Sequence, residues 1–144
     1  REQLKEYKDS IADLRKSLEL RPAQPQVLNY LGYMLIERKE NLDEALDMIE
    51  LAVEKSPQSG YIIDSLAWGL YQLGRYEEAI TPMEQAISLE PEDPIVNDHF
   101  GDILWKVGRK REAYFQWKRV LLFQPNEKLR MDIEKKLKHG LEDL

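Results

Sequence analysis

The 144-residue chain contains no cysteine. That excludes disulfides, thiol nucleophiles and thiolate metal ligands, and it leaves the compartment open, because oxidising and reducing surroundings both tolerate a cysteine-free chain. No apolar run approaches the roughly 20 residues that carry a helix across a bilayer, so no membrane span is expected. Nor does a basic-then-apolar signal segment open the sequence. The chain starts at Arg1 inside a repeating pattern, without a methionine, so it is read as a piece of a longer protein whose leader or anchor would be out of view.

Histidine is nearly absent too, with only His99 and His139. His99 stands in Asp98-His99-x2-Asp102, which could be stretched into a metal or acid–base site. Adjacent residues on a helix diverge by about 100°, so they do not easily converge on one ion. A structural role is expected for His99, and a surface position at a helix end for His139. No glycine-rich phosphate loop, nucleophile elbow or metal-spaced His/Glu cluster occurs. No catalytic residue, metal or cofactor is therefore predicted.

Positive charge is scarce over most of the chain. Residues 1–100 carry 10 Lys and Arg against 20 Asp and Glu, whereas 101–144 carry 11 against 7. An acidic body with a basic end suits end-to-end stacking or a polarised partner. Nucleic acid would require a continuous basic face, so it is not expected as a partner. Glu77-Glu78 and Lys135-Lys136 read as solvated helix faces.

What the sequence does have is a period. Pro57, Pro91 and Pro125 recur every 34 residues, and Pro22 precedes Pro57 by 35. Ala45, Ala79 and Ala113 form one column at that step, Ala52, Ala86 and Val120 a second, Gly74 and Gly108 a third, and Gly32, Ala67 and Gly101 a fourth. Two amphipathic segments per period make a helical hairpin that cannot bury its own apolar face. Such hairpins must stack on copies of themselves.

These positions resemble the tetratricopeptide repeats, whose pattern runs Trp-x2-Leu-Gly-x2-Tyr, then Ala-x3-Phe, then Pro. The first copy reads Leu28, Leu31, Gly32, Leu35, then Ala45, Ile49 and Pro57. In the second they are Ile63, Leu66, Ala67, Leu70, then Ala79, Met83 and Pro91; in the third Asn97, Phe100, Gly101, Leu104, then Ala113, Trp117 and Pro125. The leading Trp is missing throughout and Leu replaces Tyr. The resemblance covers roughly residues 7–125 and implies an all-α, right-handed α-solenoid of stacked hairpins. A single domain over 1–144 is expected: a lone second helix in 1–22, repeats over 25–58, 59–92 and 93–126, and a capping helix over 127–140.

Local signals fill in the elements. Leu4, Tyr7, Ile11, Leu14 and Leu18 form the stripe of the opening helix. With no first helix before it, part of that stripe should be bare, a route to homo-oligomers. Asn41 with Glu44 reads as a helix cap, and the extra residue of the first repeat fits the turn at 39–41. Pro82, inside a predicted helix, should bend it. After Pro125, Asn126 caps the last helix, whose Lys135, Lys136, Lys138 and His139 suit its negative end.

The first helix of each hairpin carries a second stripe at spacings of four and three: Asn29, Tyr33, Ile36; Asp64, Trp68, Tyr71; Asp98, Asp102, Trp105. In the family this face lines a concave groove that receives an extended peptide or partner helix. By resemblance it becomes an aromatic groove edged with carboxylates, holding an apolar or basic segment of a protein partner. The rings could equally pack between neighbouring repeats. The family's carboxylate clamp is matched only by Asn29, and Asp64 and Asp98 would repel a ligand carboxylate. A non-catalytic scaffold or adaptor is expected; the alternatives are a substrate-docking arm of a larger enzyme and self-association through the opening helix. The texture of residues 64–80 and 97–121 resembles the C-terminal part of long bacterial repeat proteins, which implies a bacterial origin and leans towards the cell envelope, with the cytoplasm still open.

Overall fold

In the computed structural model, which describes residues 2–141, every regular element among the described residues is a helix. The chain divides into two compact units, residues 1–58 and 59–144. The first holds α1 (Glu2–Leu20), α2 (Pro25–Glu37) and α3 (Leu42–Lys55). The second holds α4 (Gly60–Gln72), α5 (Tyr76–Leu89), α6 (Pro94–Lys106), α7 (Lys110–Leu122) and α8 (Glu127–His139). Helices α2 and α3, α4 and α5, and α6 and α7 pair as hairpins; α5 packs on α6, and α8 on α7. The fold is the all-α array of helical hairpins that the period implies.

Helix starts follow from short polar side chains. The oxygens of Ser59, Asp93 and Asn126 accept from the amides of Ile62, Val96 and Leu129 at 3.4, 2.9 and 2.8 Å, each satisfying one of the free donors at a helix N-terminus. Pro25 and Pro94 occupy the first turn, where a missing N–H costs nothing. Asn41 departs from expectation. It stands at the cap position of α3, but with φ +47° its side chain makes no cap bond. Glu44 does not complete a capping box either, since it takes both guanidinium nitrogens of Arg15, at 2.9 and 3.1 Å.

The hairpin turns share one device. Amides of Gly74 and Arg75 donate to the carbonyls of Tyr71 and Leu70, and those of Gly108 and Arg109 to Trp105 and Leu104. This left-handed closure needs φ of +79° and +90° at the glycines. In the first hairpin Lys39 and Glu40 donate to Ile36 and Leu35 in the same way, so Lys39, at φ +54°, stands where the other repeats have glycine. The extra residue then falls between Lys39 and Ala45. Helix α5 continues on both sides of Pro82, although the ring removes the donor that the Glu78 carbonyl would receive.

Packing explains the columns. Ala45, Ala79 and Ala113 are fully buried, as are Ile49, Met83 and Trp117 four residues on. A methyl group on Gly32 would meet Ile49 at 2.7 Å, and one on Gly101 would meet Trp117 at 2.3 Å. The first helix thus keeps a small residue where the second sends in a large one. At the opening helix Leu4 stays 42% exposed, and Tyr7, Ile11, Leu14 and Leu18 are half-buried. An open hollow lined by Leu4, Tyr7, Ile11 and Leu35 runs beside them.

Candidate functional site

The first helices of the second unit, α4 and α6, bring six of the nine singled-out residues together with partners from α8 and α7. The centre is His99, which is 6% exposed. Its Nδ1 lies 3.0 and 3.1 Å from the two carboxylate oxygens of Asp64. Its ring stacks on Trp68 at 3.9 Å and 13°. Trp68 in turn stacks on Tyr71 at 4.5 Å and 7°, and Tyr76 of α5 meets Tyr71 edge-on. Three flat rings therefore lie face to face across α4 and α6, with a carboxylate holding the last one.

A second cluster sits one turn along α6. Lys136 of α8 donates to Asp98 at 2.7 Å and to both oxygens of Asp102 at 3.0 and 3.2 Å. Trp117 Nε1 also donates to Asp102, at 3.1 Å. Lys136 is thus no solvated face residue, contrary to its reading in the sequence; its side chain is only 18% exposed. Trp105 packs on Trp117 and Tyr114 at 5.7 Å, with Lys110 over its ring at 4.7 Å. A methyl group on Gly140 would lie 2.1 Å from Trp105, so the end of α8 covers that indole.

Burial decides the electrostatics. For His99 burial works against the imidazolium, yet the charge and hydrogen bond of Asp64, with Asp98 and Asp102 behind, outweigh it and raise the pKa above the ordinary histidine value. Burial and then the neighbouring Asp98 push Asp102 up to about 6, against the pull of Lys136. Burial likewise opposes the charge of Lys136, and the two carboxylates more than restore it. His99 joins α4 to α6 through Asp64 and Trp68; among the described residues no group of three or more His, Cys, Asp or Glu side chains is arranged to hold a metal ion.

The remaining three residues lie on α2, in the first unit. Tyr33 is half-buried. Asn29 is half-buried as well, and its Oδ1 is enclosed without a donor among the described residues. Ile36 is 1% exposed; it belongs to the core, not to an open face. The carboxylates of Asp64, Asp98 and Asp102, foreseen as groove edges, are 5%, 9% and 6% exposed and already engaged by this chain's own cations. Sequence reasoning missed both clusters, although a signal existed: Lys136 lies 34 residues from Asp102, one period on.

A family model described as tetratricopeptide repeat matches residues 1–125. Among solved structures, MamA 41-end from Desulfovibrio magneticus RS-1 is 22% identical with a TM-score of 0.73, over 84% of this chain and 68% of that one. The first TPR of Spaghetti (RPAP3) bound to HSP90 peptide SRMEEVD is 20% identical with a TM-score of 0.69, over 81% and 92%. The first TPR domain of human RPAP3, solved by NMR, gives 20% and 0.71, over 83% and 94%. These likenesses show the fold. No curated protein sequence matches the chain.

Proposed function

We propose, from the premise that this chain belongs to the tetratricopeptide repeat family, that it is a non-catalytic interaction module which holds a segment of another protein against its first helices. The observation that carries this reading is the stack of Tyr71, Trp68 and His99. Trp68 and Tyr71 remain half-buried, and rigid, partly open rings offer contact area at small entropy cost. A structural neighbour of 20% identity is bound to an HSP90 peptide, which supports peptide capture by this fold in general terms.

The occupant is an apolar or basic segment. Three acidic side chains, Asp64, Asp98 and Asp102, face one lysine and one histidine, and this acidic excess favours Lys or Arg on the ligand. An acidic peptide such as the neighbour's is disfavoured by the same charges. Trp68 carries the contact, and Trp105, already covered by Gly140, supports it from behind.

The test is capture of the partner from the source lysate, its identification by mass spectrometry, and titration against wild-type, Trp68→Ala and Trp105→Ala chains. The reading expects at least tenfold weaker binding for Trp68→Ala with circular dichroism unchanged. Equal affinity in a folded double variant would place the interaction elsewhere. Exposed Leu4 and its adjoining hollow favour a second reading, self-association through α1, for which light scattering with Leu14→Asp is the check.

A further inference from the structure

The outward ridge of each second helix takes no part in hairpin packing, so its composition is free to vary. Counted from the buried alanine of each repeat, four equivalent positions are exposed, at spacings of four, three and four. On α3 they are Asp43, Asp47, Glu50 and Glu54. On α5 they are Glu77, Thr81, Glu84 and Ser88, and on α7 Arg111, Phe115, Lys118 and Leu122. The same ridge passes from four carboxylates, through two, to two cations and two large hydrophobes. Phe115 is 59% exposed and Leu122 73%. Since the fold accepts Asp or Thr at the place of Phe115, and Glu or Ser at that of Leu122, packing demands neither hydrophobe.

The charges on both end ridges are also unspent. Among the described residues neither Arg111 nor Lys118 makes an ion pair or hydrogen bond, and nor do Asp43, Asp47, Glu50 and Glu54 of the α3 ridge, whereas Arg15, Arg109 and Arg130 are each paired. Carboxylates three and four apart on one helix repel one another. A row of cations laid along α3 would relieve that repulsion.

We propose that the α7 ridge of one copy docks along the α3 ridge of a second copy. Both ridges span eleven helical steps, ~16 Å at 1.5 Å per residue, with the same intervals between side chains. Laid antiparallel, Arg111 meets Glu54 and Lys118 meets Asp47, while the methylene stem of Glu50 covers Phe115. The contact joins two different surfaces, so each copy that gives its α7 ridge still offers its α3 ridge to another.

The experiment is light scattering and sedimentation of the whole chain across a concentration series, at about 0.05 M and about 0.5 M salt, where screening of exposed charges differs strongly. Association is expected at low salt and its loss at high salt. R111E/K118E should weaken association at least tenfold, and so should D43K/D47K/E50K/E54K; an equimolar mixture of the two should associate again. All these positions are exposed, and circular dichroism checks that the variants stay folded. A wild-type chain monomeric at low salt overturns the proposal, as does association indifferent to R111E/K118E. Loss through Leu14→Asp alone assigns the contact to α1 and overturns it too. So does a monomeric chain that pellets with anionic phosphatidylglycerol vesicles, which would give the ridge to lipid.

Discussion

Gly101 lies against the indole of Trp117 so closely that an added methyl group would sit 2.3 Å from Nε1, the nitrogen that donates to Asp102 at 3.1 Å. The absence of a side chain on α6 is therefore what lets α7 deliver a hydrogen bond to a buried carboxylate. Packing and electrostatics meet at one pair.

Gly101→Ala should destabilise the chain by about 1–3 kcal/mol, the usual cost of overpacking a tight contact. The middle repeat solves the same contact with Ala67 and Met83, both fully buried. In the Gly101→Ala, Trp117→Met cycle the double variant should thus lose less than the sum of the single losses, by about 1 kcal/mol. Urea titration of the four chains reads this directly. Strict additivity would mean that the two residues do not compete for the same space.

That pair was legible in the sequence because both halves recur at the repeat step: small residues at 32, 67 and 101, and large ones at 49, 83 and 117. Hairpin packing is local and periodic, and columns record it. The buried charges were less legible for a different reason. In the sequence Lys136 stands beside Lys135 and Lys138 in a charged helix end, 34 residues from Asp102. Only α8 folding onto the face of α6 turns it inward. His99 is offset by one from the column that holds Asp64 and Asp98, so the period points to Asp98 as the neighbour of Asp64 and not to the imidazole that reaches it. The failed cap at Asn41 has a local cause: the inserted residue forces positive φ there, and no side-chain pattern announces that.

Lys39→Gly should stabilise the chain. Lys39 stands at φ +54°, in the place that Gly74 and Gly108 hold in the other turns, and a left-handed non-glycine residue costs roughly 1–2 kcal/mol. Glycine also adds freedom to the unfolded chain, which takes back part of that gain. A net rise of about 0.5–1 kcal/mol is expected, measurable as a higher urea midpoint at unchanged slope. A lower midpoint would show that the lysine side chain contributes more than its backbone strain costs.

Removing Lys136 should be costly at neutral pH and cheaper in mild acid. Its ammonium holds both Asp98 and Asp102, and a buried pair stripped of one partner loses about 3 kcal/mol. Asp102 already sits at about 6 with the lysine present, and losing the cation raises it further. Near pH 5 the carboxyl is then neutral in Lys136→Met and no longer opposes burial. The gap between wild type and variant, read from urea melts, should shrink from pH 7.5 to pH 5. A constant gap would assign Lys136 a packing role only.

His99 gives the chain a pH dependence whose sign follows from its surroundings. Burial lowers its pKa, while Asp64, then Asp98 and Asp102, raise it, and the sum lies above the ordinary value. A folded state that binds the proton more tightly than the unfolded state gains stability that is complete below about 6.5 and is lost as pH rises through the folded-state value. Asp102 acts in the same sense but lower, its contribution fading between about 3.9 and about 6. Wild-type stability should therefore fall above pH 6.5, and His99→Gln should flatten that slope. Because the chain has only two histidines, NMR titration with His139→Gln for assignment reads His99 alone. Its midpoint should lie above the ordinary value, and Asp64→Asn should bring it below, since burial then acts with the nearest charge removed. A midpoint that Asp64→Asn leaves in place would mean that the carboxylate 3.0 Å away does not hold the proton there.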